Sequence, residues 1–250
     1  MNRGKTRILR IIPRGAIRGG LTALAVFSLF LPPLGAQSIE STNHQYVIRG
    51  DVTVDLEPMY IGHIDDEYPL DAAKAGRRAL DELSLFFSAM IYGWSFSYEP
   101  GERARGIAEK LELEPLGTIQ YGDPALKVTD TSFADMRLRV WADYNLDDAL
   151  QRRMQVWRSG TVRNAQATGY GPSYINEYPG WLALKKTALE DAARAALRAL
   201  LQSGERNRPK EVSGFISLAS IPRYFIDSGR WVTSARFRVQ VTEILPFAAY

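Results

Sequence analysis

The sequence has no cysteine in 250 residues. That absence excludes disulfide staples and an acylated Cys at a lipoprotein cleavage site, so stability has to come from a buried core. Histidine is almost as scarce, with only His44 and His63. His63 stands in Gly62-His63-Ile64-Asp65-Asp66-Glu67, beside carboxylates that suit a divalent cation. Metal sites usually draw further nitrogen or sulfur ligands, so a solvated acidic turn before a helix is the better reading. No Gly-x-Ser-x-Gly elbow occurs, and a nucleophile–base–acid arrangement would have only His63 to serve it. The expectation is therefore no catalytic residue, no cofactor and no metal, with carboxylate pairs for sugar hydrolysis left open because Asp and Glu are plentiful.

Long apolar runs are missing too. The one candidate, Leu21 to Leu31, is well short of the ~20 residues that cross a membrane as a helix. Six cations (Arg3, Lys5, Arg7, Arg10, Arg14 and Arg18) and no acid precede it, and Pro32, Pro33, Gly35 and Ala36 follow. This is the layout of a secretory signal peptide spanning residues 1–36, the alternative being a retained anchor. The chain is expected to be exported to the periplasm or cell envelope, with no transmembrane segment after cleavage. The closing Ile244 to Tyr250 ends in an aromatic, as strands of outer-membrane barrels do. Its alternation is poor, however, and two long helical stretches leave too few strands for a barrel.

Excess charge of one sign is also lacking. The chain has 31 Lys+Arg against 28 Asp+Glu; without the six leader cations 25 face 28, which leaves −3. A slightly acidic, diffuse balance argues against a nucleic-acid partner, which needs a basic face.

What is present is periodicity. Tyr46 to Leu56 reads as a strand interrupted at Gly50-Asp51, and Asp71 to Met90 as a helix with Pro69 in its first turn. Tyr92 to Tyr98 looks extended, Gly101 to Glu112 helical, Gly117 to Tyr121 extended again, and the residues after Asp123-Pro124 a loop. Met136 to Tyr144 alternates clearly. Asn145 to Asp148 caps a short helix, Thr161 to Thr168 is a strand, and Pro179 to Gln202 is the longest helix, supported by Glu190 and Arg194 four apart. Two strands finish the chain, Gly214 to Phe225 and Arg230 to Ile244, joined at Asp227-Ser228-Gly229 by a hairpin turn.

Several weak signals recur in the same order. Glu-Tyr-Pro occurs at 67–69 and 177–179, each after a Tyr-Ile and before an Ala-rich helix. Each helix is later followed by Arg-apolar-Arg-Val, at Arg137-Leu138-Arg139-Val140 and Arg236-Phe237-Arg238-Val239. Ordered recurrence predicts a duplicated fold. The expected class is α+β, in two tandem modules (37–145 and 146–250), each an Ala-rich helix on a small, mostly antiparallel sheet. Ala188, Ala192 and Ala196 would let the second helix lie close to its sheet, and Pro179 would start it. Gly169 and Gly171, around Tyr170, lack the third glycine of a dinucleotide fingerprint and read as a tight turn needing positive φ. The aromatics Trp157, Tyr170, Tyr174, Tyr178 and Trp181 gather in one span. Some belong in the core; any left exposed would offer a sticky platform.

Val162-x-x-Ala165-x-Ala167-x-Gly169-x-Gly171, the Leu184/Ala188/Ala192/Ala196 ladder and the hairpin ending Ala235 to Val239 resemble the FlgP/FlgT-type envelope and flagellar accessory proteins. The resemblance is best over residues 160–244 and loose over 46–144. It implies a βαββ-like module and a place in a cell-surface assembly. It brings no catalytic residues, and the lipid anchor of the lipoprotein members does not carry over without a Cys. The expected function is an exported, non-enzymatic scaffold or adaptor. Its partners would be envelope proteins, flagellar basal-body components or the chain itself, met through an exposed edge strand or aromatic patch. The alternative is a glycan- or peptidoglycan-directed binder or hydrolase.

Overall fold

The computed structural model describes residues 46–57, 68–102, 106–172, 180–202 and 209–246. The leader, His44, His63, Glu67, Tyr174 and the whole second Glu-Tyr-Pro (177–179) lie outside them. The element order is β1 (Val47–Asp55), α1 (Ala72–Ile91), β2 (Trp94–Glu99), β3 (Lys110–Pro115), β4 (Leu126–Ala134), β5 (Arg137–Asn145), α2 (Asp148–Val156), β6 (Arg163–Tyr170), α3 (Trp181–Gln202), β7 (Glu211–Leu218), β8 (Arg223–Asp227) and β9 (Arg230–Leu245). The fold is α+β, with helices packed on antiparallel sheets.

The two halves share a connectivity. A strand leads into an Ala-containing helix and then pairs with the second strand of a hairpin: β1 with β5 of β4–β5, β6 with β9 of β8–β9. The Arg-apolar-Arg-Val tetrapeptides occupy β5 and β9. The sheets do not separate at residue 145, however. One has order β1-β5-β4; the other runs β3-β2-β7-β9-β6 with β8 on β9, so β2 and β3 of the first half extend the second half's sheet. The physical reason is burial. Trp94, Phe96 and Tyr98 alternate along β2 and are all buried, and pairing with β7 sets them beside Ile216, Gly214 and Val212. From Asn43 onward the chain is one compact unit. A single hydrophobic cluster joins α1 (Leu83, Phe86, Phe87) to β1/β5 (Val52, Val140, Tyr144) and to β7/β9 (Ile216, Phe237).

Local sequence explains most boundaries. Asp71 caps α1 by accepting from Lys74 N at 2.7 Å. Pro69 therefore precedes the helix, in a cis peptide with Tyr68, rather than filling its first turn. Asp147 caps α2 in the same way through Leu150 N at 2.8 Å. The expected helix over Gly101 to Glu112 is instead a Glu102–Ile107 bridge running into β3. There Leu111 and Leu113 alternate with Glu112 and Glu114, a period of two. The loop expected after Asp123-Pro124 is β4. Strand β1 runs through Gly50 without interruption; a Cβ there would meet Ile221 Cγ1 at 2.6 Å. Met136 stands in the β4–β5 turn at φ 56° and is exposed. The Asp227-Ser228-Gly229 turn is as expected, with positive φ at Ser228 and Gly229.

Helix α3 shows what small residues do. Ala188, Ala192 and Ala196 are fully buried. Gly169 and Gly171 have no positive φ, contrary to the tight-turn expectation. Gly169 lies within β6, where a Cβ would collide with the backbone of Ala188 and Ala192. Its requirement is a close helix–sheet approach. Gly171 just beyond donates to Trp231 O at 2.7 Å. Arg194 pairs with Asp191 at 2.9 Å, not with Glu190, which lies 3.9 Å from Lys186.

Candidate interaction surface

Directly paired residues share a sheet face, so registers and burial fix which side chains look where. One face of the six-stranded sheet carries Phe96, Tyr98, Val212, Ile216, Phe237 and Val239, all buried. The other face is open in part: Ser217 and Val232 on it are buried, and its remaining residues are reached by solvent. Its rows run across the strands as Glu112–Ser97–Ser213, then Glu114–Ser95–Phe215–Gln240, then Ser217–Arg238–Asn164 and Arg236–Gln166. Phe215 is 36 % exposed although it sits mid-sheet, and farther along Phe225 and Tyr170 are 50 % and 42 % exposed. Tyr170 lies under the Arg230 guanidinium at 4.4 Å from its ring centre.

Charge on this face is segregated along the strand direction. Beyond Phe215 toward the start of β7 stand Glu99, Glu112, Glu211 and Glu243, with Lys110 among them, 2.6 Å from Glu112, while Glu114 lies in the Phe215 row itself. Their proximity is felt by Lys110, whose pKa is raised first by the hydrogen bond and charge of Glu112, and also by Glu99 and Glu211. In the other direction stand Arg238, Arg236 and, across β8, Arg223 opposite Ser234. Arg238 donates to Leu218 O and Ala219 O at 3.5 and 3.3 Å; its pKa is lowered by partial burial and then by the nearby charge of Arg158. Among the described residues none of Arg158, Arg223, Arg236 and Arg238 has a carboxylate in ion-pair range.

The aromatic span expected to form a platform is distributed differently. Trp157 is buried, with Nε1 donating to Ile91 O at 3.2 Å, so it pins α2 to the end of α1 and is no contact residue. Tyr170 does lie on the open face. Trp181 is half-buried in a separate stack, with Arg78 5.5 Å and Lys185 Nζ 5.7 Å from its ring centre. Tyr174 and Tyr178 are outside the described residues. Sequence reasoning does not single out the arginines and glutamates of this face, although the alternation Ser234/Arg236/Arg238/Gln240 and Glu112/Glu114 carries them.

The stack around Trp181 surrounds a buried ion pair. Lys185 Nζ contacts both Glu82 oxygens at 2.7 and 2.8 Å, with side-chain exposures of 6 % and 3 %. Trp231 and Tyr224 face the same ammonium at 4.8 and 5.3 Å from their ring centres. Burial pushes Glu82 above the usual carboxylate range against the pull of Lys185, and pushes Tyr224 up as well. This cage clamps α1 to α3. Among the described residues no group of His, Cys, Asp or Glu is arranged to hold a metal, and no described helix is long and apolar enough to cross a membrane. On the far side of the smaller sheet a shallow groove of about 450 Å³ is lined by Arg49, Asp51, Thr129, Trp141 and Asp143.

These features define an α+β protein with an open, charge-segregated sheet face. Residues 35–247 match the model of a family of uncharacterised Treponema protein, and the chain belongs to that family. It is 29% identical over 174 residues, 69% of this chain and 71% of the other, to an "Uncharacterized protein" of Treponema pallidum (strain Nichols). No solved structure matches it.

Proposed function

We propose that the protein is an exported, non-enzymatic component of the cell envelope, a scaffold or adaptor that uses the open face of its six-stranded sheet as a contact surface. The observation that carries this reading is the exposure of Phe215, Tyr170 and Phe225 on one sheet face beside arginines that have no ion pair among the described residues. Aromatic and Arg side chains are those that concentrate energy in interfaces. Export rests on the leader pattern of residues 1–36, and a flagellar setting is the instance that the FlgP/FlgT-type resemblance implies. Affinity capture from envelope extract tests it. A specific envelope component should be retained by the protein and lost with Phe215→Asp. Retention by purified peptidoglycan alone, unaffected by that change, overturns it.

The groove beside Trp141 favours a second reading, binding of glycan. An aromatic ring flanked by Asp51 and Asp143 is a common sugar platform in chemical terms, though each carboxylate is already engaged, by Arg139 at 2.8 Å and Arg49 at 3.3 Å. Under this reading Trp141→Ala abolishes retention on peptidoglycan and Phe215→Asp leaves it intact.

A further inference from the structure

The outer face of the smaller sheet carries a different chemistry. The β1–β5 register sets Arg49 beside Asp143, and two residues on sets Asp51 beside Trp141. Between these rows Gly50 and Ala142 point inward: Ala142 is buried, and a Cβ on Gly50 would meet Ile221 and Phe87. Their backbone therefore floors the groove of about 450 Å³ between the two rows, a size within the ~300–1,000 Å³ of small-molecule sites. Thr129, left over where the β4 register shifts between Val128 and Asp130, stands at the β4 side. Arg139, which does not line the groove, stacks on the Trp141 ring at 4.6 Å from its centre.

The charges around this groove are compensated within the chain, yet hydrogen-bonding capacity is left over. Arg139 Nε and Nη2 converge on one oxygen of Asp51, Oδ2, each at 2.8 Å. Arg49 reaches Asp143 Oδ2 through Nε alone, at 3.3 Å. The Oδ1 atoms of both acids, both Nη groups of Arg49, the Thr129 hydroxyl and Trp141 Nε1 make no hydrogen bond to a described residue. Free acceptors and free donors thus stand together beside an aromatic ring, while two arginines and two aspartates cancel in charge. A hexopyranose matches that combination, since its C–H face is apolar, its hydroxyls donate and accept, and it carries no charge. A charged ligand would have to displace one partner of an existing pair and would then meet a like charge beside it.

We infer that the groove binds an uncharged hexopyranose unit of a glycan strand. The unit packs on Trp141, donates hydroxyls to Asp51 Oδ1 and Asp143 Oδ1, and accepts from Arg49 and Thr129. A shallow groove along a sheet face takes a unit from within a strand and does not require a chain end. The inference rests on the glycan reading of this groove and deepens it: the neutral sugar is recognised, not the charged groups of a cross-linking peptide. None of these residues belongs to the Phe215 face, so a glycan and a protein partner would use different side chains.

Calorimetric titration of the purified protein with chitotetraose (neutral), chitosan tetramer (cationic) and tetragalacturonate (anionic) tests it. Chitotetraose should bind at least about tenfold more tightly than either charged sugar, and equally well at about 0.05 M and about 1 M salt. Trp141→Ala should weaken it by about tenfold or more. Thr129→Arg, which fills the groove from an exposed position, should do the same and serves if Trp141→Ala fails to fold in a thermal melt. No heat from chitotetraose at about 10 mM overturns the inference. So does tighter binding of a charged sugar, or binding that survives both substitutions. Binding of chitotetraose without retention on peptidoglycan upholds the inference and assigns the sugar to another glycan. Retention on peptidoglycan that depends on Trp141, without binding of chitotetraose, removes this inference and leaves the glycan reading standing.

Discussion

The same tetrapeptide pattern occurs in β5 and β9, and its two copies meet different neighbours. Arg137 and Arg139 of β5 find Asp55 and Asp51 on the adjacent β1, at 2.7 and 2.8 Å. Arg236 and Arg238 of β9 are paired in register with Gln166 and Asn164 of β6, which carry no charge. Equivalent strands thus present a neutralised lattice on one sheet and, on the other, a cationic row with no ion pair among the described residues. A guanidinium already held by a carboxylate has little to offer a partner; one held only by backbone carbonyls keeps its charge available. The difference leaves the cationic charge neutralised on β5 and available on β9.

The largest effect is expected where the halves are joined. Lys185→Met leaves Glu82 buried without a counter-ion and should destabilise by about 3–5 kcal/mol in urea titration, whereas the double change with Glu82→Leu should recover most of it. If the single change is tolerated, the clamp between α1 and α3 is not what couples the copies. Next comes the contrast between two glycines. Gly169→Ala drives a Cβ into the α3 backbone and should cost about 3 kcal/mol. Gly50→Ala meets the movable side chain of Ile221 and should cost about 1 kcal/mol. Equal losses would mean that the helix–sheet approach is no tighter in the second copy.

Acid sensitivity should also divide unevenly. Burial alone would raise Glu109, but hydrogen bonds from Arg198 and Tyr98 outweigh it and hold the carboxyl below its usual range. A depressed carboxylate adds stability that is present above the ordinary Glu pKa of about 4.3 and fades as pH falls through the folded-state value. Glu109→Gln should therefore lower stability at neutral pH and flatten the acid limb. An unchanged limb would assign it elsewhere. The smallest effects test the arginine comparison itself. Asp55→Asn should cost no more than about 1 kcal/mol, because that pair is exposed. Gln166→Asp, which gives Arg236 the acid that β6 lacks, should add about 0.2–1 kcal/mol in urea titration. No gain would mean that the two side chains do not meet across the β6–β9 pair.

Local physics was legible where one signal dominated. The apolar stripe of α1, the Asp71 and Asp147 caps, the alternation of β5 and the Asp227-Ser228-Gly229 turn all announce themselves within a few residues. Two kinds of error had non-local causes. Gly169 reads as a turn from its neighbours alone because the helix that needs its missing Cβ lies some twenty residues away. Strand β3 reads as helix in isolation because Leu111 and Leu113 acquire their meaning only beside Tyr98 and Phe96. The open face was the least legible feature. Its acids and arginines come from five strands, and only the pairing registers bring them into rows. The recurring Arg-apolar-Arg-Val marked the strands correctly; the sequences opposite them decided which arginines are free.

The pairing of β2 with β7 has a consequence for the order of events in folding. Ser97 and Glu211, which bond at 2.8 Å, are 114 residues apart in sequence. A chain emerging from its N-terminus can close the β2–β3 hairpin at once, but it has nothing to lay along the other edge of β2 until almost the whole polypeptide is available. Phe96 and Tyr98 wait uncovered for that interval. Such long-range closure makes folding slow and all-or-none rather than progressive. A chain cut short before Glu211 would be left with an open β2 edge instead of a smaller stable protein.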